Sequence, residues 1–334
     1  MIKIALIGCG YWGPNYIRVL SSLDQVFLQA ICDQNTTVLE AIKRKYPTVD
    51  CVASLPDLLN SHKIDAVIIA TPATTHFKIT KQALLAKKHV LVEKPIAMKT
   101  KEAQELFDIA RENKVTLMEG HTFIYNNGVI KFKEYLETIG DIHYFHLTRT
   151  NLGPIRSDIN VLWDLAPHDL SILHFCLGQR PTRVSASGQS YLQKDKHDVC
   201  FATLYYDRSI IANLHLSWLD PVKIRKVTAV GNNKMAIFDD LDSFSPVKLY
   251  DKMVVFNQTC NTHEEFKSVS QQRTIQKISV DTYEPLKKEC QYFVSAVYRQ
   301  DSLREEQKRS LDVLATLEAI DTSLHRLGLP VDVA

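Results

Sequence analysis

Ile4-Ala5-Leu6-Ile7-Gly8-Cys9-Gly10-Tyr11-Trp12-Gly13-Pro14 runs from an uninterrupted apolar stretch into three glycines and a proline. Such a stretch reads as a buried strand that turns directly into a helix. Each glycine has its own steric task there: Gly8 permits the tight turn, Gly10 removes the side chain that would meet a pyrophosphate, and Gly13 lets the helix pack on the strand. Pro14 suits the first helical turn, where its missing N–H costs nothing and neighbouring N–H groups face phosphate oxygens. The second strand, Val26 to Cys32, ends at Asp33, which lies twenty residues past Gly13. A carboxylate at that point accepts ribose hydroxyls and repels a 2′-phosphate, so the expected cofactor is NAD rather than NADP. A loop acid capping the next helix would give the same residue type.

The chain of 334 residues is long enough for about two domains. Hydrophobic residues at 45%, charged residues at 23% and a net charge of +2 supply no field excess for nucleic acid or an anionic membrane. Seven scattered cysteines, at 9, 32, 51, 176, 200, 260 and 290, form no CxxC pair and suit reduced thiols. With no apolar run of spanning length, a cytoplasmic protein is expected.

Strand-like and helix-like stretches alternate up to residue 121, the pattern of a doubly wound parallel α/β sheet. Six strands are expected there, at about 2–7, 26–32, 51–53, 65–70, 89–92 and 115–119. Beyond, the rhythm becomes α+β: helices at about 126–138 and 163–177, then long alternating runs at 198–206, 210–218 and 224–238. Turn chemistry at Tyr206-Asp207-Arg208-Ser209 and Gly231-Asn232-Asn233 predicts hairpins in an open, mainly antiparallel sheet. Helices at about 284–299 and 304–327 close the chain. The expected division is a Rossmann domain at 1–121 and a substrate-binding and oligomerisation domain at 122–334, with chemistry in the cleft between them. The run Ile210 to Leu216 is apolar on more than one face, which points to a homodimer or homotetramer.

Glu93-Lys94-Pro95 follows the fifth strand at the sheet end where open α/β folds present ligands. An ammonium at Lys94 can stabilise a developing alkoxide; the same dipeptide also suits a surface turn. Asp164 and His168 in Trp163-Asp164-Leu165-Ala166-Pro167-His168-Asp169 share one helical face. The aspartate can orient an imidazole that takes a hydroxyl proton, or it can serve as a helix cap. Pro167 in a first turn requires that helix to begin near Trp163 or Asp164. His143 and His146 have opposite strand parity and no zinc-ligand spacing occurs, so no metal is expected.

Gly8-x-Gly10-x-x-Gly13, Asp33, Ala70-Thr71-Pro72-x3-His76, Glu93-Lys94-Pro95 and Asp164-x3-His168 together resemble the Gfo/Idh/MocA oxidoreductases. The resemblance implies a catalytic set of Lys94, Asp164 and His168, cofactor contacts at Thr71, Pro72, His76, Glu93 and Lys94, and a cis bond between Lys94 and Pro95. Phrases around Tyr11, Trp12 and Trp163 are similar to a nucleotide-sugar subgroup related to UDP-N-acetylglucosamine 3-dehydrogenases. That similarity implies cofactor contacts at Tyr11 and Trp12 beside the three glycines. The family resemblance sets Tyr125 and Asn126 at a position that often touches substrate, although both equally suit packing, and Arg156 and Trp163 are further candidate substrate contacts. Arg149, Arg156, Lys223, Arg225 and Lys226 are the cations considered for a diphosphate. The lead Ile159 to Trp163 departs from the family's glycine-rich form, so the substrate end of the pocket is expected to differ. The implied function is NAD-dependent oxidation of a secondary alcohol on a sugar, the C3 hydroxyl of a UDP-N-acetyl-hexosamine. Alternatives are a keto-sugar reductase, an inositol or polyol dehydrogenase, and a non-catalytic NAD-binding regulator.

Overall fold

A computed structural model describes residues 1–251 and 274–334, and Cys260 lies outside them. Contacts divide the chain into one unit of Met1–Tyr125 with Glu284–Ala315 and another of Asn126–Tyr283 with Thr316–Ala334. The segment 284–315, expected with the second domain, thus groups with the first.

In the first unit, β1 (Ile2–Ile7), β2 (Val26–Cys32), β3 (Asp50–Val52), β4 (Ala66–Ile69), β5 (His89–Glu93) and β6 (Leu117–Gly120) form a sheet of order β3-β2-β1-β4-β5-β6. Every pairing is parallel. The order reverses at β1, between β2 and β4, which opens a crevice beyond the C-terminal strand ends. β4 is buried at all four positions, as a strand covered on both faces must be. Helices α1 (Gly13–Leu20), α2 (Thr36–Lys45), α3 (Leu55–Leu59), α4 (His76–Leu85) and α5 (Thr100–Asn113) lie between strands. Asn35 starts α2 by accepting from the Thr37 and Val38 N–H groups. After α6 (Asn127–Leu136) and α7 (Val161–Leu177) of the second unit, α8 (Pro285–Arg299) returns to this one. Its Leu286, Phe293 and Val294 enter the core of Ile4, Leu6, Tyr16 and Leu20. Burying each such side chain stabilises the fold by about 1.5–3 kcal/mol.

The second unit holds a nine-stranded sheet of β7 (Ile142–Leu152), β8 (Arg183–Gln189), β9 (Val199–Tyr205), β10 (Ile211–Ser217), β11 (Leu219–Gly231), β12 (Met235–Asp239), β13 (Val247–Asp251), β14 (Thr274–Ile278) and β15 (Val331–Asp332). All pairings are antiparallel except β10 with β7. Both expected hairpins occur: Asp207–Ser209 turns β9 into β10, and Gly231 to Lys234 turns β11 into β12. The run expected at 224–238 is divided at the second of these turns into β11 and β12. Helix α9 (Arg304–His325) contains the point at which the two units divide. Among the described residues no helix is long and apolar enough to cross a membrane, and no cluster of three or more His, Cys, Asp or Glu is placed to hold a metal ion.

Candidate active site

The glycine-rich turn is held from below and open above. Gly8 has φ +93°, and a Cβ there would stand 2.8 Å from the Ala70 carbonyl oxygen at the end of β4. A Cβ on Gly13 would stand 3.1 Å from the Gly8 carbonyl oxygen. A Cβ on Gly10 meets nothing within 4 Å. The space that Gly10 leaves faces outward at the start of α1, a helix with Pro14 in its first turn and no acidic residue there. Together these form a cradle of the shape and polarity that a dinucleotide pyrophosphate needs. Tyr11 is 85% exposed beside it, and its ring meets Trp12 edge to face at 6.2 Å.

Asp33 is tied into the same turn. Its Oδ2 accepts the Cys9 N–H at 2.7 Å and its Oδ1 accepts the Asn35 N–H at 2.8 Å. Each oxygen keeps a further lone pair for a ribose hydroxyl. Burial and the nearby Asp33 charge push the Cys9 thiol up to about 12, so it stays neutral.

On β4's far side, Thr71 and Pro72 lead into a short 3₁₀ turn at Ala73–Thr75. The Thr75 hydroxyl lies 2.8 Å from that of Thr71. His76 is buried, with Nδ1 2.7 Å from the Pro95 carbonyl oxygen and Nε2 2.8 Å from that of Thr71. Burial drives this ring below the usual histidine range, although the carbonyls and Glu119 favour its protons. A neutral ring donates through one nitrogen only, and both ring nitrogens are turned to backbone. His76 therefore fastens the β4 turn to the β5 turn.

The Lys94–Pro95 peptide is cis. From Val90 to Ala97, Lys94 alone is not buried. Its neighbour Glu93 is buried, accepts the Tyr16 hydroxyl hydrogen at 2.8 Å, and takes the Lys94 N–H at 3.3 Å. Burial raises the Glu93 carboxyl above its ordinary range against the pull of Tyr16 and Lys94. Tyr125 packs against Tyr292 with ring centroids 5.6 Å apart.

In the second unit, Asn160 caps α7 by accepting the Trp163 N–H at 3.1 Å. The helix starts at Val161, and this changes two expectations. Asp164 is a first-turn residue rather than the cap, and Pro167 lies inside the helix instead of in its first turn. The asparagine side chain, a strong cap, begins the helix earlier than the proline rule required. Asp164, Leu165 and His168 are half-buried on a helix whose other residues from Val161 to Leu170 are buried. Asp164 and His168 keep the four-residue spacing of one face. Trp163 is buried.

Asp164 accepts a hydrogen bond on each of its oxygens. Trp218 Nε1–H donates to Oδ2 at 3.2 Å, and Arg156 Nη1–H to Oδ1 at 3.3 Å. Arg156 also makes a two-pronged contact with Asp158, at 2.9 and 2.7 Å. Asn126 caps α6 through Gly128 N–H at 2.7 Å and donates to Asp240 at 3.0 Å. Arg149 is buried against Asp169 at 2.7 Å, Arg225 meets Asp240 at 3.1 Å, and Lys226 meets Asp239 at 3.2 Å, while Lys223 is exposed. Sequence reasoning missed Trp218, Tyr16 and the Asp partners of these cations. Nothing in the spacing of such distant positions signals the pairing.

Residues 2–121 match the family model described as the oxidoreductase family with an NAD-binding Rossmann fold, and residues 131–237 match the GFO/IDH/MocA C-terminal domain. The chain belongs to the GFO/IDH/MocA oxidoreductase family. Among its relatives, an uncharacterized oxidoreductase of Streptococcus pneumoniae is 28% identical over 64% of this chain and 62% of its own length. The UDP-N-acetylglucosamine 3-dehydrogenase of Acidithiobacillus ferrooxidans is 28% identical over 72% of this chain and 75% of its own. The alignment thus spans less than two thirds of the first of these two relatives. A crystal structure of a UDP-N-acetylglucosamine 3-dehydrogenase from Acidithiobacillus ferrooxidans shares the fold with a TM-score of 0.81, at 23% identity, over 98% of each chain.

Proposed function

We propose that this NAD(P)-binding oxidoreductase of the GFO/IDH/MocA family oxidises a secondary alcohol of a sugar with NAD as acceptor. The substrate assigned is a UDP-N-acetyl-hexosamine, oxidised at its C3 hydroxyl. A bound nicotinamide supplies the hydride acceptor. The glycine cradle and Asp33 fit the diphosphate and the ribose hydroxyls, and the carboxylate disfavours a 2′-phosphate. Thr71, Pro72, Glu93 and His76 shape the floor on which the cofactor would lie.

His168 takes the proton of the substrate hydroxyl. Asp164 orients the imidazole and supports its charge, and the Lys94 ammonium stabilises the oxyanion. The reading requires both units to serve one reaction. Its main support is Lys94, the one residue kept partly open in a buried strand-end motif whose partners hold the backbone in place. Tyr125, Asn126, Arg156 and Trp163 remain the proposed substrate contacts, with Asn126 and Arg156 acting from positions already fixed by internal hydrogen bonds.

Replacing Lys94 by alanine is expected to leave NAD binding within about threefold and to lower turnover at least a thousandfold. A normal rate in that variant removes the mechanism. A second reading, oxidation of an uncharged inositol or polyol, is favoured by one observation. Arg149, Arg156, Arg225 and Lys226, considered for a diphosphate, each already face an aspartate. Absorbance at the NADH wavelength with a panel of UDP-sugars, keto sugars and inositols separates these readings. Tight NAD binding with no turnover across the panel instead marks a regulator.

A further inference from the structure

Trp218 lies between β10 and β11 in the second unit, fully buried at 0% exposure. A buried indole whose N–H has no acceptor carries an uncompensated desolvation penalty, so its orientation is chosen by where that hydrogen can go. Here it goes to a carboxylate: Nε1–H donates to Asp164 Oδ2 at 3.2 Å. The backbone on either side is fixed as well. Trp218 N–H donates to the Asp198 carbonyl oxygen at 3.0 Å, and the Trp218 carbonyl accepts from Gly153 N–H at 3.1 Å. A rigid donor on a pinned strand end therefore holds one oxygen of Asp164, while Arg156, a longer and partly exposed side chain, reaches the other.

The two donors differ in what they can do. The arginine is shared with Asp158, at shorter distances than its 3.3 Å contact to Asp164. An indole has one donor and no other use for it. We propose that Trp218 is a positioning residue for the reaction: its N–H fixes the plane of the Asp164 carboxylate and draws off part of its charge, so that Asp164 presents a defined orientation and basicity to His168. The inference rests on the proposed role of Asp164 and His168. It concerns how that pair is set rather than whether it reacts.

A donor on the carboxylate weakens the support that Asp164 gives to a protonated imidazole. Without the indole hydrogen the imidazolium is better stabilised, so His168 is expected to titrate at higher pH, while the misaligned carboxylate slows proton transfer. The test uses the full chain with Trp218→Phe. It also uses a benzothienylalanine at 218, which keeps the ring volume and replaces only the N–H, in case the phenylalanine variant fails to fold. Asp164→Asn is the third arm.

Three readings are taken: the indole resonances in protein labelled at its three tryptophans, the His168 titration by NMR, and kcat and KM with UDP-N-acetylglucosamine and NAD as the probes. Expected are a Trp218 indole resonance that moves in Asp164→Asn, a His168 titration displaced upward in the benzothienyl protein, and kcat at least fivefold lower with KM within twofold. A His168 titration and kcat both unchanged in the benzothienyl protein, while Asp164→Asn abolishes turnover, overturn the role of Trp218 and leave the catalytic reading intact. Normal turnover in Asp164→Asn sinks the catalytic reading itself. An indole resonance indifferent to Asp164→Asn removes the hydrogen bond on which the inference stands.

Discussion

Tyr16 on α1 donates its hydroxyl hydrogen to Glu93 Oε1 over 2.8 Å, tying the helix that follows the glycine turn to the motif that carries Lys94. Both groups are buried, so the bond has no solvent substitute. Tyr16→Phe keeps the ring and leaves one carboxylate oxygen without its donor. The expected loss is about 1–3 kcal/mol, seen as a lower urea midpoint with an unchanged slope. An unaltered midpoint would show that Glu93 finds another donor.

Gly8 and Gly10 make opposite demands although they stand two residues apart. Gly8→Ala puts a Cβ 2.8 Å from the Ala70 carbonyl oxygen at φ +93°, so it is expected to destabilise the fold by roughly 2 kcal/mol or more. Gly10→Ala meets no protein atom within 4 Å. It is expected to unfold at the wild-type temperature yet bind NAD at least tenfold more weakly, because the methyl occupies the space proposed for the pyrophosphate. Calorimetry of the two variants, with and without NAD, checks both statements. Undiminished NAD affinity in Gly10→Ala places the cofactor elsewhere.

The same contrast explains which features were legible in the chain. The glycine turn, Asp33 and the strands around them rest on local rules: apolar runs, turn residues and short spacings. The expected strands and closing helices accordingly lie within a few residues of those observed. The start of α7 differs from the expected one because a proline rule and an asparagine cap compete, and the cap's hydrogen bond wins. The partners of Glu93, Asp164 and Arg149 were illegible for a different reason. Tyr16 lies 77 residues from Glu93 and Trp218 lies 54 from Asp164, and spacing carries no signal over such distances. Helix α8 joined the first unit because its apolar face completes the core around Ile4 and Leu20, a preference that periodicity reveals only as amphipathic, without naming the partner.

Arg149 and Asp169 form a buried ion pair, with Nε and Nη2 both on Oδ1 at 2.8 and 2.7 Å. Burial raises the Asp169 carboxyl above its usual range, against the pull of Arg149 and then Arg225. Arg149→Met strands a buried charge and is expected to cost about 3–5 kcal/mol, while adding Asp169→Leu restores most of it. Denaturant melts of the single and double variants give the comparison. Equal losses in both would mean that packing around Arg149, not its charge, is what matters.

On the open face of β10, Ile211 stands opposite Tyr144 of β7 and Tyr205 of β9, and His215 stands opposite Phe201. These four apolar side chains are 38–46% exposed. A patch of this kind supports the proposed homodimer or homotetramer. Light scattering is expected to give two or four times the single-chain mass, falling toward one chain in Ile211→Lys. A single-chain mass for the wild type at working concentration ends that proposal.

Glu289 gives the fold a pH dependence whose sign can be worked out. It is fully buried at 0% exposure; Oε2 accepts the Thr122 hydroxyl at 3.0 Å, and Oε1 has no hydrogen-bond partner among the described residues. Burial first, and then the neighbouring Glu93 charge, raise its carboxyl well above the ordinary value of 4.5. The folded chain therefore holds a proton that the unfolded chain releases. Its contribution is fully present below pH 4.5 and is lost as pH rises through the raised folded value. Glu289→Gln keeps the shape and the Thr122 bond and has no proton to lose. As pH rises above 4.5, stability of the variant relative to wild type is expected to climb at up to about 1.4 kcal/mol per pH unit. Thermal unfolding of both proteins across that range measures the difference. Curves that run parallel would mean that Glu289 is charged in the folded chain, and that Thr122 with a neighbouring donor stabilises the carboxylate despite its burial.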